Sequence, residues 1–332
     1  MASVELADAA NTTREARPIP LGVSGGNVNH FEGGSCYGGT LGALVKSASG
    51  TQYILSNNHI LARTNAAATG EDIVQPGLID VGCQQIANDA VADLTKFEPL
   101  RFRRGGSRHL NYVDAAIAQV RSGAVRTNGE IKGIGLLSSQ VATDKIGCDV
   151  KKSGRTSGLT TSTITSVDVT IDVDYGNRRI ARFADQFLVG GGSFSAGGDS
   201  GSLIVHYDKA RLSASPRAVG LLFAGSSSYT VGNPISQVQS ILGVSIVGTG
   251  SSDAGDCNSA TSTSQVEIGR GAKNKHQDEL LNNPHAIGTG VGQDGTIEVY
   301  LEDDSDEAKR NIPDQVDGVK VRPVVTGKVK AL

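Results

Sequence analysis

The stretch Ser193-Phe194-Ser195-Ala196-Gly197-Gly198-Asp199-Ser200-Gly201-Ser202 runs directly into the apolar triplet Leu203-Ile204-Val205. A serine set between glycines at the head of an apolar strand has a chemical reading. A nucleophile for acyl transfer needs a tight turn that exposes its Oγ and aims backbone N–H groups at the oxygen that becomes anionic during attack. Glycine permits such a turn. On this reading Ser200 attacks, and the N–H groups of Gly198 and Ser200 form the oxyanion hole.

Two upstream segments supply what such a serine requires. Ser56-Asn57-Asn58-His59-Ile60-Leu61 follows the strand-like run TQYIL (51–55), and a general base belongs on a rigid element of this kind. Asn111-Tyr112-Val113-Asp114 leads into Ala-Ala-Ile-Ala, where a carboxylate at the head of an apolar strand is costly unless an imidazole N–H pairs with it. Asp89 and Asp93 are nearby alternatives in a polar stretch. The order is His59, Asp114, Ser200, which is the order of the chymotrypsin architecture and differs from those of subtilisin and the α/β-hydrolases.

The rest of the chain fits a mainly β fold. Runs rich in Val, Ile, Thr and Leu (40–46, 51–57, 113–120, 162–173, 178–189, 200–208, 218–225) alternate with Gly/Ser/Asn/Asp clusters, the pattern of a sandwich or barrel. Asp174-Tyr175-Gly176-Asn177 reads as a hairpin turn. A helix is expected at 234–242, with Asn233 as N-cap, Pro234 first, and Gly243 as the stop. The 332 residues are 38% hydrophobic and 20% charged with 43 glycines, which argues against disorder, coiled coil and collagen. A net charge of −3 gives no field favouring nucleic acid or an anionic membrane, and no run is long enough to span a bilayer.

Composition divides the chain into an N-terminal extension (1–35) with little packing expected before Ser35, a catalytic domain (36–247), a Gly/Ser/Thr-rich linker (248–271) and a small α/β unit (272–332). The last unit should hold a helix at 272–282, a strand pair, a short helix near 305–311 capped by Ser305, and a closing strand at 319–325. It carries no chemical motif, so regulation, substrate recruitment or assembly, homo-oligomerisation included, are open to it. Cys36, Cys83, Cys148 and Cys257 stand singly without zinc spacing, and free thiols are the expectation. His30, His109, His206, His276 and His285 are expected to be solvated or locally bonded. Asp172-Val173-Asp174 is a poor calcium loop, and Lys96, Arg101, Arg103, Arg104 and Arg108 form a basic run expected in an exposed loop.

At these residues the chain resembles the trypsin-like serine proteases of chymotrypsin fold. GDSGS (198–202) stands where that family has GDSGG, SNNHIL (56–61) is similar to the TNNHV of HtrA-like members, and VKKSGRTSG (150–158) resembles the VCRSGRTTG hairpin of secreted bacterial α-lytic-type proteases. The resemblance spans about residues 36–247. It implies two packed six-stranded antiparallel β-barrels and a serine endopeptidase in which His59 is base then acid, Asp114 orients it, and Ser200 forms an acyl-enzyme. It implies no metal or other cofactor. The hairpin's half-cystines are replaced by Lys151 and Thr161, and Ile60 replaces the cysteine after the histidine, which points to an intracellular, cytoplasmic bacterial protein.

By the same resemblance the primary pocket falls at Phe194 and Ser195, with Phe223 and Gly225 as walls, and suits a small or medium apolar side chain rather than Arg or Lys. In many family members a freed N-terminus pairs with the Asp before the nucleophile, and IPLGVSGG (19–26) weakly matches such a start, with Asp199 as its partner. The expected partner is a protein or peptide substrate. The alternative is a latent or self-cleaving protease-fold protein that acts as a regulated binding module.

Overall fold

The structure is a computed structural model that describes residues 10–103, 109–250, 253–257 and 262–332. Its β-rich runs pair into two large sheets. The first has the order Ser245–Ile246, Ala43–Lys46, Gln52–Ser56, Ala116–Val120, Ala90–Phe97, Asp72–Val74, Val23–Asn27, Gly39–Leu41. Its strands Gly39–Leu41 and Ala43–Lys46 are separated by Gly42 alone, so the sheet curls back on itself. Gly42 is required there, because a Cβ would lie 1.9 Å from the carbonyl oxygen of Gly201. The backbone of the first sheet is thereby pressed against the turn that carries Ser200.

The second sheet contains a ring of six strands: Gly158–Asp174, Asp149–Gly154, Leu203–His206, Arg217–Gly225, Tyr229–Pro234 and Ile180–Gly190, the last pairing back onto the first. The fold is mainly β, as the sequence implied. It is built from a curled sheet and a ring rather than two clean six-stranded barrels. Leu41, Leu55, Ile117 and Leu203 belong to one apolar core, and Val150, Phe187, Phe194 and Leu222 to another. The helix Ile235–Leu242 buries Ile235, Val238 and Leu242 on the first core, each worth about 1.5–3 kcal/mol. Gly243 ends it in the left-handed region at φ 75°. Its N-cap is Pro234, one residue later than expected, because Asn233 remains in the preceding strand.

Several expectations are corrected. Packing begins well before Ser35: Ile19, Leu21 and Val23 are fully buried at alternate positions, and Val23–Asn27 pairs with both Gly39–Leu41 and Asp72–Val74. Its glycines and flanking prolines disguised a strand as a tail. The helix expected at 272–282 is Thr263–Leu280, which reaches into the stretch read as linker because serine and threonine are also good helix starters. Ala286–Val291 pairs with Gly158–Asp174, so the C-terminal strands extend the second sheet. Val319–Val325 adds in parallel to Ile297–Leu301, and Ser305 caps Asp306–Lys309 as expected.

The cysteines are also not free thiols. Cys36 is bonded to Cys83 and Cys148 to Cys257, partners 47 and 109 residues apart that spacing alone could not match. The thiol argument for a reducing compartment falls with this. Lys151 and Thr161 do sit opposite one another in the hairpin, at a cross-strand pair. No described helix is long and apolar enough to cross a membrane.

Candidate active site

The strand Gln52–Ser56 is anchored by the fully buried Ile54 and Leu55 and runs into the single-turn helix Asn58–Leu61. This fixes His59, which is 7% exposed. Ala116–Val120 lies antiparallel beside that strand with Ala116 opposite Ser56, and the register sets Asp114 against His59. His59 Nδ1 lies 2.5 Å from Asp114 Oδ2, and the His59 backbone N–H donates to Oδ1 at 3.2 Å.

Asp114 has no exposed surface, so its charge must be satisfied internally. The Tyr175 hydroxyl donates to Oδ2 at 2.8 Å. The Asp114 N–H donates to Asn233 Oδ1 at 3.1 Å, and Asn57 Nδ2 donates to the Asp114 carbonyl at 2.7 Å. Burial, and then the charge of Asp114, push the Tyr175 phenol well above its usual range, so it stays a donor. Sequence reasoning read Tyr175 as a turn residue and Asn233 as a helix cap. Nothing local marked either as a support for Asp114.

Ser200 sits in the expected turn. Its carbonyl accepts from the Thr40 N–H at 2.8 Å, and Thr40 Oγ1 donates to the Gly198 carbonyl at 3.1 Å. Gly198 has φ +96° and Gly201 φ +93°; a Cβ on Gly201 would lie 2.1 Å from Ser56 Oγ. These glycines let the turn pass between the sheets. Ser200 Oγ donates to the Phe223 carbonyl at 3.0 Å, while His59 Nε2 lies 3.3 Å from the carbonyl oxygen of Leu332. His59 and Asp114 are thus bonded directly, whereas Ser200 Oγ is bonded to the Phe223 carbonyl and not to the imidazole.

Asp199 is fully buried and has no vacancy for a freed N-terminus. It is held by Lys152 Nζ at 3.3 Å, by the N–H groups of Thr156, Ser157 and Ala196, and by the Ser157 hydroxyl. Ile19, at the weak activation-site match, is instead buried with its N–H on Ala124. The cation beside Asp199 is thus the hairpin lysine, and Ile19 does not reach it.

Phe194 is 1% exposed, and Ser195 Oγ is bonded to Thr230 Oγ1 at 2.5 Å. A Cβ on Gly225 would lie 3.5 Å from Ser195 Oγ, so these residues do meet. Phe223 differs: its ring packs in the core 4.6 Å from Phe183, and its carbonyl faces the site. A cleft of about 530 Å³ lies in front of His59, lined by Tyr37, Ile79, Arg155, Tyr175, Gly198 and Leu332, among others. His30 borders it, stacked on Tyr37, and burial followed by the charge of His59 lowers its pKa to about 4.

The remaining candidates have structural partners. Lys96 donates to the Ile241 and Leu242 carbonyls at the end of their helix, and Arg103 pairs with Asp172. Arg104 and Arg108 lie outside the described residues. Asp89 pairs with Arg14 and Asp93 with Arg121, leaving Asp114 as the carboxylate beside His59. Asp172 also pairs with Arg182, and Asp174 caps its own turn. His276 and His285 face carboxylates, and His206 lies near Cys148 at 3.7 Å.

The Nal1 C-terminal domain family matches residues 101–233. Solved structures of similar fold include a glutamic acid specific serine protease described as using a histidine triad in substrate binding (22% identity, TM-score 0.46, 69% of this chain and 100% of that one). Thermobifida fusca Protease A is another (17%, 0.43, 70% and 99%), as is Cellulomonas bogoriensis chymotrypsin (18%, 0.41, 69% and 98%). No curated protein matches the chain.

Proposed function

We propose that the chain is a serine endopeptidase acting on protein or peptide substrates. The observation that carries this is the buried His59–Asp114 pair beside a glycine-flanked Ser200 whose turn is clamped between both sheets. In the proposed reaction Ser200 Oγ attacks the scissile carbonyl carbon as its proton passes to His59 Nε2. The carbonyl oxygen, now anionic, is met by the N–H groups of Gly198 and Ser200. The tetrahedral species collapses, His59 gives the proton to the departing amine, and water then releases the acyl group by the same route. Asp114 keeps the proton on Nδ1 and faces the imidazolium that forms. Tyr175 and Asn233 keep Asp114 in place.

A substrate side chain entering beside Gly225 would meet the buried ring of Phe194 and the Ser195 hydroxyl rather than a carboxylate, which supports preference for an apolar side chain over Arg or Lys. The test is turnover of a mixed peptide library by the wild type, by Leu332→Asp and by either background carrying Ser200→Ala, with new termini identified by mass spectrometry. Cleavage lost with Ser200→Ala is the expected result. Cleavage by none of these proteins would overturn the proposal.

A further inference from the structure

We infer that the segment Val329–Leu332 occupies the peptide-binding groove of the active site as a substrate-like strand, which guards Ser200 and marks leucine as the residue the pocket accepts. Four observations place it there. The Asp174 N–H donates to the Val329 carbonyl at 2.9 Å. Lys330 lies opposite Gly225, and Ala331 opposite Ala224, in antiparallel register. The Leu332 N–H reaches the Phe223 carbonyl at 3.3 Å. The Leu332 carbonyl oxygen lies 3.3 Å from His59 Nε2. Strand addition to a sheet edge is how extended peptides are commonly held, with backbone bonds for affinity and pockets for alternate side chains.

The register decides which residue matters. Phe223 O is shared by the Leu332 N–H and by Ser200 Oγ, so the backbone of Leu332 lies at the nucleophile. Its carbonyl is the group that faces the histidine, and a peptide lying this way would present the bond after its leucine for attack. The Leu332 side chain packs on the core that contains Phe194, and a Cβ at Gly225 would come within 2.9 Å of its Cδ1. A glycine at 225 therefore makes room for the leucine.

The same contacts keep the site idle. The Ser200 hydroxyl is bonded to Phe223 O, the same oxygen that receives the Leu332 N–H. Both ring nitrogens of His59 face oxygens, Nδ1 that of Asp114 and Nε2 that of Leu332, so Nε2 is engaged by the tail rather than by Ser200 Oγ. Displacing the segment frees Nε2 and opens the groove.

The kinetic part of this inference rests on the protease reading; the binding part does not. The first measurement is the rate of fluorophosphonate labelling of Ser200 in the wild type, Leu332→Met, Leu332→Asp and Leu332→Gly. Labelling should be at least about tenfold faster in the Asp and Gly variants, because an equilibrium held mostly in the occupied state lowers the apparent rate by the open fraction. Leu332→Met should stay slow. The second measurement is anisotropy of a fluorescein-labelled Val-Lys-Ala-Leu peptide on Leu332→Asp combined with Ser200→Ala, which should bind it and lose it to unlabelled peptide.

Equal labelling rates in all four proteins would overturn the inference and leave the protease reading standing. Peptide binding with no labelling in any protein would keep the groove assignment and sink the protease reading. Loss of both sinks both. In the Leu332→Asp protein, substrates should be cut after Leu at least about tenfold better than after Glu, Lys or Arg, and the reverse preference would contradict the pocket assignment.

Discussion

Asp114 is held by more groups than an orienting carboxylate strictly needs. The Tyr175 hydroxyl is one that can be removed without opening a cavity. Tyr175→Phe should cost about 1–2 kcal/mol of support for the charged pair, roughly tenfold in the Ser200 labelling rate of the Leu332→Asp background. An unchanged rate would mean the hydroxyl positions nothing. His30 offers a second test. Its folded pKa of about 4 lies below the usual 6.5, so between those values the unfolded chain binds more protons. Stability should then rise with pH through that window, be complete above it, and be lost as pH falls through about 4. The contribution is up to about 3 kcal/mol, and His30→Phe should flatten the profile seen in denaturant titrations. At this scale the pairing of His59 with Asp114 and the glycine turn at Ser200 were legible because each sits in a local pattern of strand end or turn. Tyr175, Asn233 and Leu332 were not, because what makes them matter is a neighbour 61, 119 or 273 residues away.

Among the elements, the hairpin Asp149–Gly154 with Gly158–Asp174 does two jobs. It closes the ring of the second sheet, and it presents Lys152 to Asp199 directly before the nucleophile. Both side chains are fully buried, so removing the lysine leaves an uncompensated carboxylate. Lys152→Met should destabilise the protein by about 3–5 kcal/mol and slow Ser200 labelling; a loss under about 1 kcal/mol in chemical denaturation would contradict the account. Runs of Val, Ile, Thr and Leu located Ala43–Lys46, Gln52–Ser56 and Ala116–Val120 of the first sheet and most strands of the second, but missed Asp72–Val74, Ala90–Phe97 and Tyr229–Pro234. The pattern failed at Val23–Asn27, whose Val-Ser-Gly-Gly-Asn offers little apolar signal although every residue is buried. It failed also for the closing tail, whose pairing is to strands far away in sequence.

Across the whole molecule, the C-terminal segment is joined to the rest by a shared sheet and, among the described residues, by a buried ion pair. Lys273, 1% exposed, lies 2.9 Å from Asp168 Oδ2 and donates to the Asp168 carbonyl at 2.6 Å. Lys273→Met should cost about 3–5 kcal/mol and loosen the helix Thr263–Leu280, read as faster amide exchange there than in Gln52–Ser56. The disulfides give an independent check: thiol titration of the unfolded, unreduced protein should find none, and four reactive thiols would restore the free-cysteine reading. The change of composition after residue 247 was visible in the sequence. That the last strand returns to the first part of the molecule was not, since a Gly/Ser/Thr-rich stretch looks the same whether it separates two bodies or merely turns a chain.

The claim beneath all of this is that Ser200 is an activated nucleophile served by His59 and Asp114. Its most direct test is mass-spectrometric mapping of the fluorophosphonate adduct on the Leu332→Asp protein, alone and combined with Ser200→Ala or His59→Ala. The account predicts a single adduct on Ser200, abolished by the first added substitution and slowed by about a thousandfold or more by the second. An adduct at another residue, or no adduct on the folded protein, would contradict it.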